Sequence, residues 1–194
     1  VIHRWRRLRL RHRPGRGAVP EPAEGLLRTL LSTQAWVGDG PPTEERWAPD
    51  ALRPCWGKPL GGFWTSTWDQ EVGSDWLVRG GPNDMGVISE PAMVWWLAPD
   101  PDARVLVVDS FEDLEAALEN YGLQMFESSP IRVFDFLAVA KDYDAIHLTE
   151  RGQWSTRLTY PDNLYGWDCE CTLWLRWCFT DVWRWGKWKF KEGA

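Results

Sequence analysis

With 194 residues, 44% of them hydrophobic, the chain is long enough for one domain with a sizeable core, and that content excludes a wholly disordered polypeptide. No apolar run approaches the ~18 residues of a membrane span, and no apolar stretch follows the basic start as in a secretory leader, so the expectation is a cytoplasmic protein without membrane insertion. The formal net charge is −6, but residues 1–17 hold seven arginines and no acid; subtracting that +7 leaves −13 on the remainder, which argues against general nucleic-acid binding by the body of the chain.

The Arg/Pro/Gly composition of residues 1–20 reads as a basic, disordered arm, and phosphate contacts through that arm are the one route to nucleic acid the sequence offers. Residues 21–194 are expected to form a single domain. Leucines at 26, 27, 30 and 31 have the spacing of one helical face, which predicts a helix over 21–36. Residues 38–59, with five prolines and three glycines, read as a long connection. A strand is predicted over 63–68, followed by a short helix from a Ser74 cap to Arg79, ended by Gly80-Gly81. The apolar runs 93–98 and 104–109 flank the turn-rich Pro99-Asp-Pro-Asp102 and read as consecutive strands. Ser110 with Asp113 three residues on makes a capping box for a helix carrying Leu114, Ala117, Leu118 and Tyr121 on one stripe before Gly122. Pro130 is expected to open another helix to about Asp142. A buried strand follows over 143–149, a longer one spans 168–178, and one or two more lie around Gly186. The mixture is α+β, with strands outnumbering helices.

Sixteen tryptophans are far above ordinary usage. Most are expected to fill the core, each burying on the order of 150–250 Å². Trp64 and Trp68, which lie beside hydroxyls and a glycine pair, are the candidates for stacking on a ligand. The four cysteines show neither a disulfide framework nor a paired zinc pattern, and Cys169 and Cys171 are expected to be core thiols. Three histidines, two of them in the arm, are too few for a zinc site, and His147 reads as structural because strand alternation turns it away from Asp144.

Within 168–178 the alternation puts Cys169, Cys171, Leu173, Leu175 and Trp177 on a core face, and Glu170, Thr172, Trp174 and Arg176 on the other. An ionised carboxylate there needs water, a cation or hydrogen-bond donors. Either Glu170 sits on a solvated face or pairs structurally with Arg176, or it serves a site.

Four segments in order decide between these readings: Lys58-Pro-Leu-Gly-Gly-Phe-Trp-Thr-Ser-Thr-Trp68, Arg104-Val-Leu-Val-Val-Asp109, Tyr143-Asp-Ala-Ile-His-Leu148 and Asp168-Cys-Glu-Cys-Thr-Leu-Trp-Leu175. Over residues 58–176 this order resembles the ADP-ribosyltransferase fold, in particular its bacterial toxin-like members. The resemblance implies mixed and antiparallel β-sheets with a few flanking helices around the Trp-rich core, and NAD as the substrate. It implies that Thr65, Ser66 and Thr67 line the nicotinamide pocket with Trp64 or Trp68 flanking the ring and Gly62 admitting the cofactor closely. Glu170 would be the catalytic acid. Arg46, Arg53 and Lys58 are the candidates for the family's early cationic anchor of the dinucleotide. The implied activity is NAD hydrolysis or transfer of ADP-ribose to an unidentified macromolecule; the competing expectation is a noncatalytic, Trp-rich interaction module of phage or toxin-associated type.

Overall fold

The structure, a computed structural model, describes residues 32–38, 40–44, 54–55, 57–59, 61–79 and 92–188. The arm, Arg46, Arg53, the Gly80-Gly81 stop and the leucines at 26–31 lie outside the described residues. The elements in chain order are β1 (Gln34–Val37), β2 (Pro54–Cys55), β3 (Lys58–Pro59), β4 (Phe63–Thr67), α1 (Asp75–Arg79), β5 (Ala92–Pro99), β6 (Val105–Val108), α2 (Phe111–Tyr121), β7 (Gly122–Gln124), β8 (Arg132–Phe134), α3 (Phe136–Asp142), β9 (Ala145–Leu148), α4 (Glu150–Thr156), β10 (Cys171–Trp174) and β11 (Phe179–Trp188). The described residues therefore form an α+β structure, in which four helices accompany a seven-stranded mixed sheet of order β11-β5-β1-β4-β10-β9-β6 and two short ribbons, β2-β3 and β7-β8. No helix among the described residues is long and apolar enough to cross a membrane.

Every pairing in the large sheet is antiparallel except β6 with β9. That parallel pair needs a crossover, which α2, the β7-β8 ribbon and α3 supply. Strand alternation then builds two cores. On one face Leu106, Val108, Ile146, Leu148, Cys171 and Leu173 pack against Leu114 and Leu118 of α2, Phe136 and Val139 of α3, and Trp167. On the other face Val105, Val107, Ala145, Trp174, Phe63 and Leu97 meet Trp177 and Phe179. β6, β9 and β10 are covered on both sides, which is why their sequences read as nearly continuous apolar runs.

The strands at 63–67, 92–99, 105–108 and 145–148 and the helices at 75–79 and 111–121 stand where the sequence places them. The capping box closes as expected: Asp113 N–H donates to Ser110 Oγ at 3.2 Å, and Asp109 N–H donates to the Asp113 carboxylate at 3.1 Å. Three expectations are corrected. Residues 34–37, the first three of them expected within a helix, are a central strand, because β4 and β5 supply ladder partners on both of its sides. The helix expected from Pro130 begins at Phe136, where Asp135 caps it by accepting from Ala138 N–H, and residues 132–134 pair with β7 instead. The long strand over 168–178 shrinks to Cys171–Trp174, and both of its faces are buried, so Thr172 and Trp174 face no solvent. Residues 179–188 are one strand, with a register shift between Arg184 and Gly186 where the glycine adopts φ +152°. α4 was not anticipated; Thr149 caps it by accepting from Gly152 N–H at 2.9 Å.

Cys169 and Cys171 are buried free thiols, as the sequence implied, and burial pushes both upward in pKa.

Gly152 lets α4 lie directly on the end of β6. A Cβ built there would sit 2.1 Å from the Val108 carbonyl oxygen and 2.9 Å from its carbon, both backbone atoms that cannot rotate aside. Gly152→Ala is therefore expected to lower the unfolding free energy by at least about 2 kcal/mol in urea titrations, despite the better helix propensity of alanine.

Candidate functional site

The site grows from a place where a β-ladder stops. β4 and β10 pair only from Phe63 with Trp174 to Thr65 with Thr172. Beyond that point the N–H of Thr67 faces β10 with no backbone acceptor, and the carboxylate of Glu170 takes it, at 3.1 and 3.2 Å to its two oxygens. The Thr67 hydroxyl donates to Glu170 Oε1 at 2.7 Å and the Ser66 hydroxyl donates to Oε2 at 2.6 Å. Three donors from two adjacent β4 residues thus converge on an acid more than one hundred residues further along the chain, whose side chain is 12% exposed.

The segment that carries Glu170 is held from both sides. Its backbone N–H donates to Asp75 Oδ2 of α1 at 3.1 Å, and Asp75 also accepts from Arg79 Nε at 3.3 Å. From α4, Gln153 and the adjoining Arg157 both donate to the carbonyl of Asp168. These bonds replace the strand pairing expected over 168–170 and aim the Glu170 side chain at the end of β4.

Burial pushes the Glu170 carboxyl up to about 7; the hydrogen bonds from Ser66 and Thr67 oppose that rise, and the nearby charge of Asp75 adds to it. His147 lies 3.6 Å from Glu170 Oε1, but burial pulls its pKa down to about 3, so the ring is neutral and no ion pair forms. Its Nδ1 is instead 2.8 Å from Thr172 Oγ1.

The pairing of Glu170 with Arg176 does not occur. Arg176 bonds Asp144 at 2.9 Å and reaches the Ala140 carbonyl, while Arg104 bonds Asp144 through its backbone N–H at 2.8 Å and its guanidinium. Burial pushes the Asp144 carboxyl up, but the Arg104 hydrogen bonds and the Arg176 charge outweigh it and hold the group below the ordinary carboxylate range. Asp144 is thus a guanidinium anchor of the fold, and among the described residues no Lys or Arg pairs with Glu170.

The remaining candidates separate. Thr65, as fully buried as Ser66, has its hydroxyl engaged by Gln34 and Trp174 rather than by Glu170. Trp64 stacks edge-on against Trp167 at 4.8 Å, with the Lys58 ammonium 5.8 Å above its ring. Lys58 pairs with Asp168 at 3.2 Å. Trp68 belongs to a wall of indoles with Trp96, Trp185 and Trp188, at 5.0–6.2 Å between centroids. Gly62, at φ +92°, abuts Leu173, whose Cδ1 would be 2.5 Å from an added Cβ. The structure therefore brings together Ser66, Thr67 and Glu170, and sets Thr65, Trp64, Trp68 and Gly62 in the packing around them. It adds Asp75, Gln34 and His147, which the sequence left unremarked or structural. The acidic first-turn position of Asp75 after the Ser74 cap, and the glutamine heading the apolar Ala35-Trp36-Val37, were the available signals.

Comparison with protein-family models, with curated proteins and with solved structures finds no match to this chain.

The raised carboxyl has a signed consequence for stability. Below the ordinary value of 4.5 Glu170 is protonated whether folded or unfolded; between 4.5 and about 7 only the unfolded chain ionises it, so stability falls across that window and levels off above it. Urea unfolding from pH 4 to 8 should show the native protein losing up to about 3 kcal/mol that Glu170→Gln does not lose. Parallel pH profiles for the two proteins would refute the assignment.

Proposed function

We propose that the chain is an NAD-cleaving enzyme of the ADP-ribosyltransferase type, with Glu170 as its catalytic carboxylate and Ser66 beside it. The observation that supports this reading is the 2.6 Å contact between Ser66 and Glu170, reinforced by Thr67, across the junction of neighbouring strands. The resemblance demands that its Ser/Thr strand, its Tyr-Asp strand and its glutamate meet, and β4, β10 and β9 are adjacent in that order. Among the described residues no guanidinium pairs with the carboxylate, which leaves its charge to a substrate.

In the proposed reaction the bond between ribose C1′ and the nicotinamide nitrogen breaks, and its electron pair leaves with neutral nicotinamide. Positive charge then spreads over C1′ and the ring oxygen, as in other glycosidic cleavages. A carboxylate about 4 Å away at an effective dielectric near 20 contributes about 4 kcal/mol of attraction to that cation. Because the charge develops only as the bond breaks, this attraction lowers the barrier rather than tightening ground-state binding. The nucleophile, water or a group on the macromolecular acceptor, then bonds C1′ and gives up its proton. Ser66 and the N–H and hydroxyl of Thr67 hold Glu170 in place meanwhile.

Only the ionised carboxylate can do this. Nicotinamide release from NAD should therefore rise about tenfold per pH unit below about 7 and level off above it. Glu170→Gln should reduce release about a thousandfold, the rate equivalent of about 4 kcal/mol, while shifting the melting temperature at pH 7 by no more than a few degrees. A folded wild-type protein that releases no nicotinamide with water or with a panel of protein and nucleic-acid acceptors would instead favour a noncatalytic, Trp-rich interaction module. Undiminished release by the variant would remove Glu170 from the chemistry.

A further inference from the structure

The polar groups behind Glu170 form a line whose direction can be worked out from valence. At its far end the Trp174 indole N–H donates to Thr65 Oγ1 at 2.8 Å. An indole nitrogen can only donate, so Thr65 accepts there, and its single hydroxyl proton goes to the next group, Gln34 Oε1 at 2.7 Å. That contact orients the Gln34 amide with its oxygen toward Thr65 and its Nε2 toward Thr67, where Nε2 donates to Thr67 Oγ1 at 3.2 Å. Thr67 Oγ1 is now an acceptor on this side, and its one proton points the other way, to Glu170 Oε1 at 2.7 Å.

We propose that Gln34 is a positioning residue for Glu170: as the pivot of a directed relay from Trp174 through Thr65 to Thr67, it compels the Thr67 hydroxyl to donate to the carboxylate. Trp174, Thr65 and Gln34 are each no more than 1% exposed, so the protein itself supplies the bonds that order the relay. Reversing the order would make Thr65 Oγ1 accept from both the indole and Gln34 Nε2 and leave its buried proton without an acceptor in the line. Gln34 makes both of its contacts to β4 from one position on β1, because Thr65 and Thr67 lie two residues apart on the same face of that strand and Gln34 pairs with Thr67. The consequence is that Glu170 meets only donors at this end of β4, the environment that suits its charged form. The relevance of this to NAD cleavage rests on the reading above; the relay itself does not.

The test uses the full chain and needs no NAD. Carbon-13 NMR of the Glu170 side-chain carboxyl, assigned by its absence in Glu170→Gln, follows its titration directly. Thr65→Val and Gln34→Met keep the volume and cut the relay, so Thr67 is free to turn and accept; each should make Glu170 a weaker acid by about three- to tenfold. Thr65→Ser retains the hydroxyl and should leave the midpoint in place, and so should Thr156→Val, which deletes an equally buried hydroxyl that bonds the Gly152 carbonyl elsewhere. The other groups facing the carboxylate, His147 from β9 and Asp75 with Arg79 from α1, stay unchanged in all four variants. An unmoved midpoint in both relay-cutting variants would overturn the proposal. Should those variants fail to fold, the wild-type protein still decides. Nuclear Overhauser contacts from the Gln34 amide protons to the Thr67 side chain are expected, and contacts to Thr65 in their place would overturn it.

Discussion

A carboxylate standing in for a missing strand partner is the interaction on which the rest of this structure turns. At the end of β4 the ladder to β10 gives out, and Glu170 fills the gap by accepting from the backbone and hydroxyl of Thr67 and from Ser66. Two opposing terms meet there. Burial favours the neutral acid, three donors favour the anion, and the balance leaves the group titrating near neutrality at about 7. A group so balanced is easily biased by whatever else enters its surroundings.

The same junction explains how the sheet tolerates polar side chains in its middle. Gln34, Thr65, Thr172 and His147 are buried among apolar neighbours, and each has a hydrogen-bond partner inside the sheet. A buried polar group without a partner typically costs 1–3 kcal/mol, roughly as much as a small domain can lose at one position without trouble, so such networks form completely or are replaced by apolar residues. The contrast lies a short way along the sheet, where the buried indole N–H groups of Trp96 and Trp188 have no acceptor among the described residues. There the large ring areas outweigh the unmade bonds.

Charge is likewise sorted by tertiary position. Asp144 gathers Arg104 and Arg176, a division of labour that keeps Arg176, two residues beyond β10, away from Glu170. Asp75 and α4 hold the backbone leading into β10, leaving the Glu170 side chain to face β4. Two acids of similar chemistry thus acquire opposite pKa directions, one lowered by guanidinium partners and one raised by burial.

Local patterns were legible wherever a single element carried its own signal. The Ser110–Asp113 box, the stripe on α2, the apolar runs of β5, β6 and β9 and the isolation of Glu170 could all be read from residues a few positions apart, because caps and amphipathic periods are short-range physics. What could not be read there depends on partners far away in the chain. Gln34–Val37 is a strand only because β4 and β5 flank it, the backbone before β10 leaves the ladder because Asp75 takes the Glu170 N–H, and Thr65 is held by Gln34 and Trp174 while Ser66 and Thr67 reach Glu170. The sequence alone determined which residues could carry the chemistry. The tertiary structure decided which of them meet, since hydrogen bonds across a sheet link residues by register rather than by distance along the chain.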